Sequence, residues 1–361
     1  MYRLVVKNFG VLKNIDIILN KTNLFIGNNG SGKSVLAKLI TIVTSFDDYS
    51  YNFLTQFKKF DIDFIENNTL IKFFDKHNDD ILLTISNKKI NFSKKVIDTI
   101  ETAQKTKDLL NTFTNPDNIE INNILPKIFS SKYIPADRNL ISLFNNFVAN
   151  LITSDIPLPR TLLEFSAQYN KARNSIRELS LLNMTFKSNN GQDKIYYDKE
   201  NYLPLENSSS GIQTALPLYL TIKYFNSKHY QNILVEEPEQ NLYPKAQIDT
   251  IKFIVQNSDN NLYLMTHSPY VLSILNILIF AYKSANTNNI LKEKIEKIIP
   301  SSQHINPDEF SAYLIEDGKS INIKGNSTGM IKQNVIDDIS DEIDEDFSEL
   351  MELYREFKDA K

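Results

Sequence analysis

The chain has 361 residues, 42% of them hydrophobic and 23% charged, with no cysteine and a net charge of −4. Ordinary globular composition at this length fits one large domain with an insertion, or two domains. The lack of cysteine excludes disulfides, thiolate zinc sites and a cysteine nucleophile, and fits a reducing cytoplasm.

Met1 to Val6 opens directly on a strand pattern, without a basic-then-apolar leader. Ile15, Ile17 and Leu19 mark a second strand, and Asn23 to Ile26 is a short apolar run ending at a glycine-rich turn. Val35, Leu36, Leu39, Ile40 and Val43 then recur at helical spacing. Antiparallel strands are predicted at Thr69–Phe74 and Asp80–Ile90, and helices at Lys94–Leu110 and Thr161–Leu181. A hairpin is expected over Met184–Tyr197, turning at Asn190-Gly191. From Ser208 the pattern alternates: helix at Thr214–Phe225, strand at Gln231–Glu236, strand at Asn261–Thr266, helix at Pro269–Ala285. A second hairpin turns at Asp317-Gly318. The longest apolar run, Val271 to Tyr282, is shorter than the roughly 18 residues a membrane span needs. A soluble, cytoplasmic chain with no membrane partner is expected. Eight acids and no Lys or Arg lie between Asp337 and Glu349. Without them the balance is 40 basic to 36 acidic residues, a body of +4 that permits nucleic-acid contact without arguing for it.

Four segments carry the chemistry. Gly27-Asn28-Asn29-Gly30-Ser31-Gly32-Lys33-Ser34 fits G-x-x-x-x-G-K-[ST] in full, between a predicted strand and a predicted helix. Its backbone N–H groups can wrap phosphate oxygens, Lys33 can face the β- and γ-phosphates, and the Ser34 hydroxyl can ligate Mg²⁺. The apolar strand Ile233-Leu234-Val235 ends in Glu236-Glu237, a pair suited to divide metal holding (Glu236) from polarising the attacking water (Glu237). Ser208-Ser209-Ser210-Gly211-Ile212-Gln213 opens a helix, which makes it a helix cap or an anion site. His267 follows a strand and precedes Ser268-Pro269, where it can reach a γ-phosphate or serve the fold alone.

In this order the four segments resemble an ABC ATPase head, and Lys7-Asn8-Phe9-Gly10, Glu236-Glu237-Pro238-Glu239, Leu242-Tyr243-Pro244 and Thr266-His267-Ser268-Pro269-Tyr270 resemble its RecF/SMC/OLD-like branch. The resemblance implies an α/β, ABC-type P-loop NTPase head: a mixed β-sheet plus RecA-like core, with an α-helical insert between P-loop and signature motif. The expected divisions are 1–130 (P-loop and antiparallel strands), 131–183 (helical insert), 184–325 (signature, acidic strand and switch histidine) and 326–361 (acidic helical tail). It further implies ATP and Mg²⁺ as cofactors, catalysis by Glu237, His267 and Lys33, and Ser210, Gly211 and Gln213 capping the ATP of a partner protomer. Glu239 to Pro244 would link the two sites of the head-to-head dimer. Tyr133 to Arg138 falls where the family's Q-loop stands, without a glutamine, and Glu236 and Ile212 replace the commoner aspartate and glycine; slow turnover is the expectation. With 176 positions between Ser34 and Ser210, the chain departs from transporter ATPases. A short ATPase of this kind resembles the stand-alone ATPases of bacterial anti-phage systems, which work with a separately encoded effector such as a nuclease. The alternative is a DNA-binding ATPase of repair or chromosome maintenance.

Overall fold

The computed structural model describes residues 1–45, 53–76, 79–113, 130–144, 158–189, 192–228, 230–287, 289–332 and 350–351. The acidic tail and the Asn190-Gly191 turn therefore lie largely outside the described residues. An eleven-stranded mixed sheet dominates. Strands β1 (Tyr2–Phe9), β2 (Leu12–Leu19), β4 (Leu70–Asp75), β5 (Asp80–Ser86) and β6 (Lys89–Phe92) form an antiparallel wing, in the order β6-β5-β4-β1-β2. Asp80–Ile90, expected as one strand, is two, because Asn87 and Lys88 both take positive φ and reverse the chain. The other wing is parallel: β14 (Phe310–Glu316), β3 (Thr22–Ile26), β13 (Asn261–Thr266), β12 (Asn232–Glu236) and β7 (Ser131–Ile134) run side by side. β15 (Lys319–Asn322) joins the wings; it turns back from β14 at Asp317-Gly318 and pairs with β2.

The sheet separates two cores, and strict alternation explains why its parallel strands read as unbroken apolar runs. In β13, Leu262 and Leu264 join one core while Tyr263 and Met265 join the other. Helix α1 (Lys33–Val43) packs on the second face, with Leu36, Leu39 and Ile40 against Phe25 and Leu234. The first core takes in residues of α5 (Arg160–Ser175), α6 (Ser210–Ser227), α7 (Pro244–Gln256) and α8 (Pro269–Ala285). The shorter helices α2 (Phe53–Lys59), α3 (Lys94–Phe113), α4 (Asn139–Phe144) and α9 (Asn289–Glu296) complete the set among the described residues.

The 131–183 segment is not purely helical. It opens with β7, the edge strand beside β12, and ends in β8 (Glu178–Leu181), where helix had been expected as far as Leu181. β8 pairs with β9 (Met184–Asn189), and β10 (Gln192–Tyr196) and β11 (Tyr202–Pro204) follow in the order β11-β10-β9-β8 as a separate antiparallel sheet. Its packing includes a buried ion pair, Arg173 to Asp193 at 3.1 Å, which Tyr169 joins. Helix α6 carries a proline at its centre. Pro217 has no N–H for the Gln213 carbonyl, and the Ser142 hydroxyl donates to that carbonyl instead, at 2.6 Å.

Candidate active site

β3, β12, β13 and β7 are parallel, so their carboxyl ends meet at one edge of the sheet. Residues distant in the chain converge there: the glycine-rich loop after β3, Glu236-Glu237 after β12, His267 after β13 and Pro135–Arg138 after β7.

The loop 27–32 leads into α1, which begins at Lys33, with Gly32 before it at φ 103°. A Cβ on Gly27 would stand 2.2 Å from the Ile315 carbonyl, so strand β14 leaves room for glycine alone. The Lys33 ammonium is buried and donates to the carbonyls of Gly27 at 2.6 Å and Asn28 at 3.1 Å. Burial pulls its pKa down, against the opposing pull of Glu237, Glu239 and Glu236.

Glu236, at the tip of β12, is buried on the α1 side, where its carboxylate meets the hydroxyls of Tyr133 and Ser34. Burial raises its pKa and those hydrogen bonds lower it, with burial the stronger. Its Oε1 has no hydrogen-bond partner among the described residues, and neither has the buried hydroxyl of Ser31. Hard oxygen donors from Ser34 and Glu236, one of them an orphaned carboxylate oxygen, fit Mg²⁺.

Glu237 takes φ 42°, an unusual backbone for a residue other than glycine. Two hydrogen bonds hold it there: its N–H donates to Met265 and its carbonyl accepts from Arg138, at 2.8 and 2.7 Å. The side chain then turns to His267, with Oε2 2.6 Å from Nδ1. Burial and the neighbouring Glu239 carboxyl raise Glu237 to a pKa of about 7, against the lowering pull of His267.

The predicted residues fall into two groups. Lys33, Ser34, Glu236, Glu237 and His267 share this edge. Ser210, Gly211 and Gln213 make no hydrogen bond to the P-loop among the described residues. Gly211 lies against the Asn241 carbonyl, and Ser210 opens α6 after Ser209, whose hydroxyl caps nothing. The Gln213 amide donates to the carbonyls of Glu206 and Ser208 at 3.0 and 2.9 Å. It holds the loop ahead of the helix.

Sequence reasoning missed Arg138. Its side chain is the largest wholly buried one, and its guanidinium donates to the carbonyls of Pro135, Glu236, Glu237 and Thr214. Burial lowers its pKa to about 10, so it remains charged at neutral pH. One planar cation thus ties β7, the acidic strand tip and the signature helix together. It sits where the family's glutamine was sought, but it points into protein.

A P-loop, a buried acidic strand tip and a strand-end imidazole on this mixed sheet define a P-loop ATPase fold. The chain belongs to the family described as "AAA domain, putative AbiEii toxin, Type IV TA system", whose model matches residues 23–273. No curated protein matches it. Among solved structures it is similar to an SMC head domain from Thermotoga maritima, with 11% identity over 89% of this chain and 97% of that one, at a TM-score of 0.41. It is also similar to an ATP-binding cassette of an ABC transporter in its ADP conformation, with 14% identity over 94% and 95% of the two chains, at a TM-score of 0.38. Likeness at this distance says nothing of substrate or partner.

Proposed function

We propose that the chain binds and hydrolyses ATP with Mg²⁺, closes as a head-to-head dimer around the nucleotide, and in doing so controls a separately encoded effector. The observation that carries this reading is the junction of Glu237 with His267 at the end of a strand whose preceding glutamate meets the P-loop serine. Lys33 binds the phosphates once it leaves the Gly27 and Asn28 carbonyls. Ser34 and Glu236 hold the metal, which supplies charge neutralisation at the phosphates. Glu237 takes a proton from water, and His267 orients that carboxylate and faces the γ-phosphate.

The reading fixes a pH dependence. The base works only when ionised, so with a pKa near 7 the turnover falls as pH drops through 7. The steady-state rate at pH 6 is expected to be about a tenth of its plateau value. A profile flat between pH 6 and 8 removes Glu237 from the role. Stability runs the other way: a carboxyl harder to ionise in the fold than in the unfolded chain costs stability as pH rises through 7.

Support for a dimer comes from Ser209 and Ser210. Both are exposed, and they head an 18-residue helix with no side-chain cap, a geometry that suits the γ-phosphate of a partner's ATP. The family description names a toxin of a type IV TA system, which fits a chain that works with a second gene product; we propose that this product is a nuclease and that the role is defence. The test is the mass of the Glu237→Gln chain, purified with the products of adjacent genes, with and without ATP. An ATP-dependent dimer that retains a neighbour is expected. A monomer that holds ATP alone overturns the dimer reading, and ATP-dependent binding of duplex DNA without any partner favours the repair alternative.

A further inference from the structure

This inference rests on the ATPase reading and deepens it. We propose that Glu239 is a positioning residue, whose buried carboxylate clamps the end of β13 and so holds the His267 imidazole against Glu237.

The ring of His267 is half exposed, so packing does little to fix it. What fixes it is polar. The His267 backbone N–H, at the point from which the ring is hung, donates to Glu239 Oε1 at 3.1 Å, and the Thr266 hydroxyl donates to the same oxygen at 2.5 Å. Glu239 itself is only 5% exposed. A carboxylate is not taken out of water without compensation, and here the facing cations are Lys33 and Arg138. A chain that needed Glu239 only to close the turn after β12 would already have it: the Gln240 and Leu242 N–H groups donate to the Glu237 and Glu239 carbonyls. The side chain adds a bridge from that turn to the next strand tip.

The bridge belongs to a closed ring of hydrogen bonds. Thr266 Oγ1 also accepts from the Ser268 N–H, the Ser268 hydroxyl donates to Gln247 Oε1, and the Gln247 amide returns to the Leu242 carbonyl. Asn241, inside that turn, donates to Thr214 Oγ1, which in turn bonds the Ser210 carbonyl. A shift at the start of α6 therefore reaches His267 through three side chains, Thr214, Asn241 and Glu239.

The experiment compares Glu239→Gln, Glu239→Ala and Thr266→Val by steady-state kcat and KM for ATP. It also follows the His267 imidazole resonances, assigned with His267→Ala among only four histidines. Melting temperatures report on folding. Glutamine keeps an oxygen acceptor, so kcat within about threefold of wild type is expected. Alanine and valine break the clamp, so kcat falls about tenfold or more while KM stays within about twofold. In those two variants the His267 signal moves and the other three histidines do not. An unmoved His267 signal in Glu239→Ala overturns the proposal, and so does a Glu239→Gln variant as slow as Glu239→Ala. If the wild type releases no phosphate from ATP, the ATPase reading fails alone, and the resonance still decides the clamp.

Discussion

Glu237→Gln is expected to bind ATP as tightly as the wild type while releasing phosphate about 10²–10⁴-fold more slowly. The amide has the shape of the carboxylate but cannot accept a proton. The backbone of residue 237 is tied to Met265 and Arg138 through groups the substitution leaves alone, so the left-handed turn survives. The two steps separate cleanly because Lys33 and Ser34, which would hold the nucleotide, sit in the first turn of α1. Equilibrium binding of labelled ATP and single-turnover phosphate release together check the prediction. A variant within about threefold of wild-type release would assign the proton to another group, and His267 is the nearest.

Arg138→Ala has the largest expected effect on stability, a loss of about 3–5 kcal/mol. Four carbonyls each lose a donor inside the protein, that of Glu237 keeping only the Gln240 N–H, and a cavity opens between β7, β12 and α6. At the entropy of a domain this large, the melting temperature falls by about 4–7 °C. Arg138→Lys recovers less than half of that, because a point ammonium cannot reach carbonyls on three elements at once. Because two of the carbonyls belong to Glu236 and Glu237, turnover falls even in Arg138→Lys at temperatures where the chain is folded. Calorimetry and phosphate release check both parts. A melting temperature within about 2 °C of wild type for Arg138→Ala contradicts the account.

These two residues differ in how far the sequence exposes them. Glu237 is legible because its signal is local: a short apolar run ends in two acids, and an alternating strand with both faces buried has no other place for them. The P-loop is legible for the same reason, and the bounds of α8 follow from Ser268-Pro269, where the Ser268 hydroxyl accepts from the Tyr270 N–H. Arg138 carries no such mark. Its acceptors at Thr214, Glu236 and Glu237 lie 76 to 99 positions along the chain, and an arginine in a Pro-Ala-Asp-Arg segment reads as surface until those partners arrive. Gln213 has a second task that its motif position does not announce: its amide answers the local demand of the 205–208 loop. The helix carried too far, to Leu181, shows the limit of periodicity. Leu179 and Leu181 alternate over too few residues to outweigh the helical spacing that precedes them.

The place of β3 in the sheet has a consequence for how the chain is made. This strand, which delivers the P-loop, is flanked by β13 and β14 and by neither of its neighbours in sequence. Thr22 pairs with Phe310, 288 positions later. At ordinary rates of synthesis that is roughly 15–60 s during which both edges of β3 wait on a ribosome-bound chain. The N-terminal hairpin of β1 and β2 can form early, but the nucleotide loop has no complete frame until β13 and then β14 emerge. Loop closure over such distances slows folding and leaves unpaired edges exposed meanwhile. Chains that stop before Phe310 would therefore carry every residue of the phosphate loop and lack the strand that shapes it.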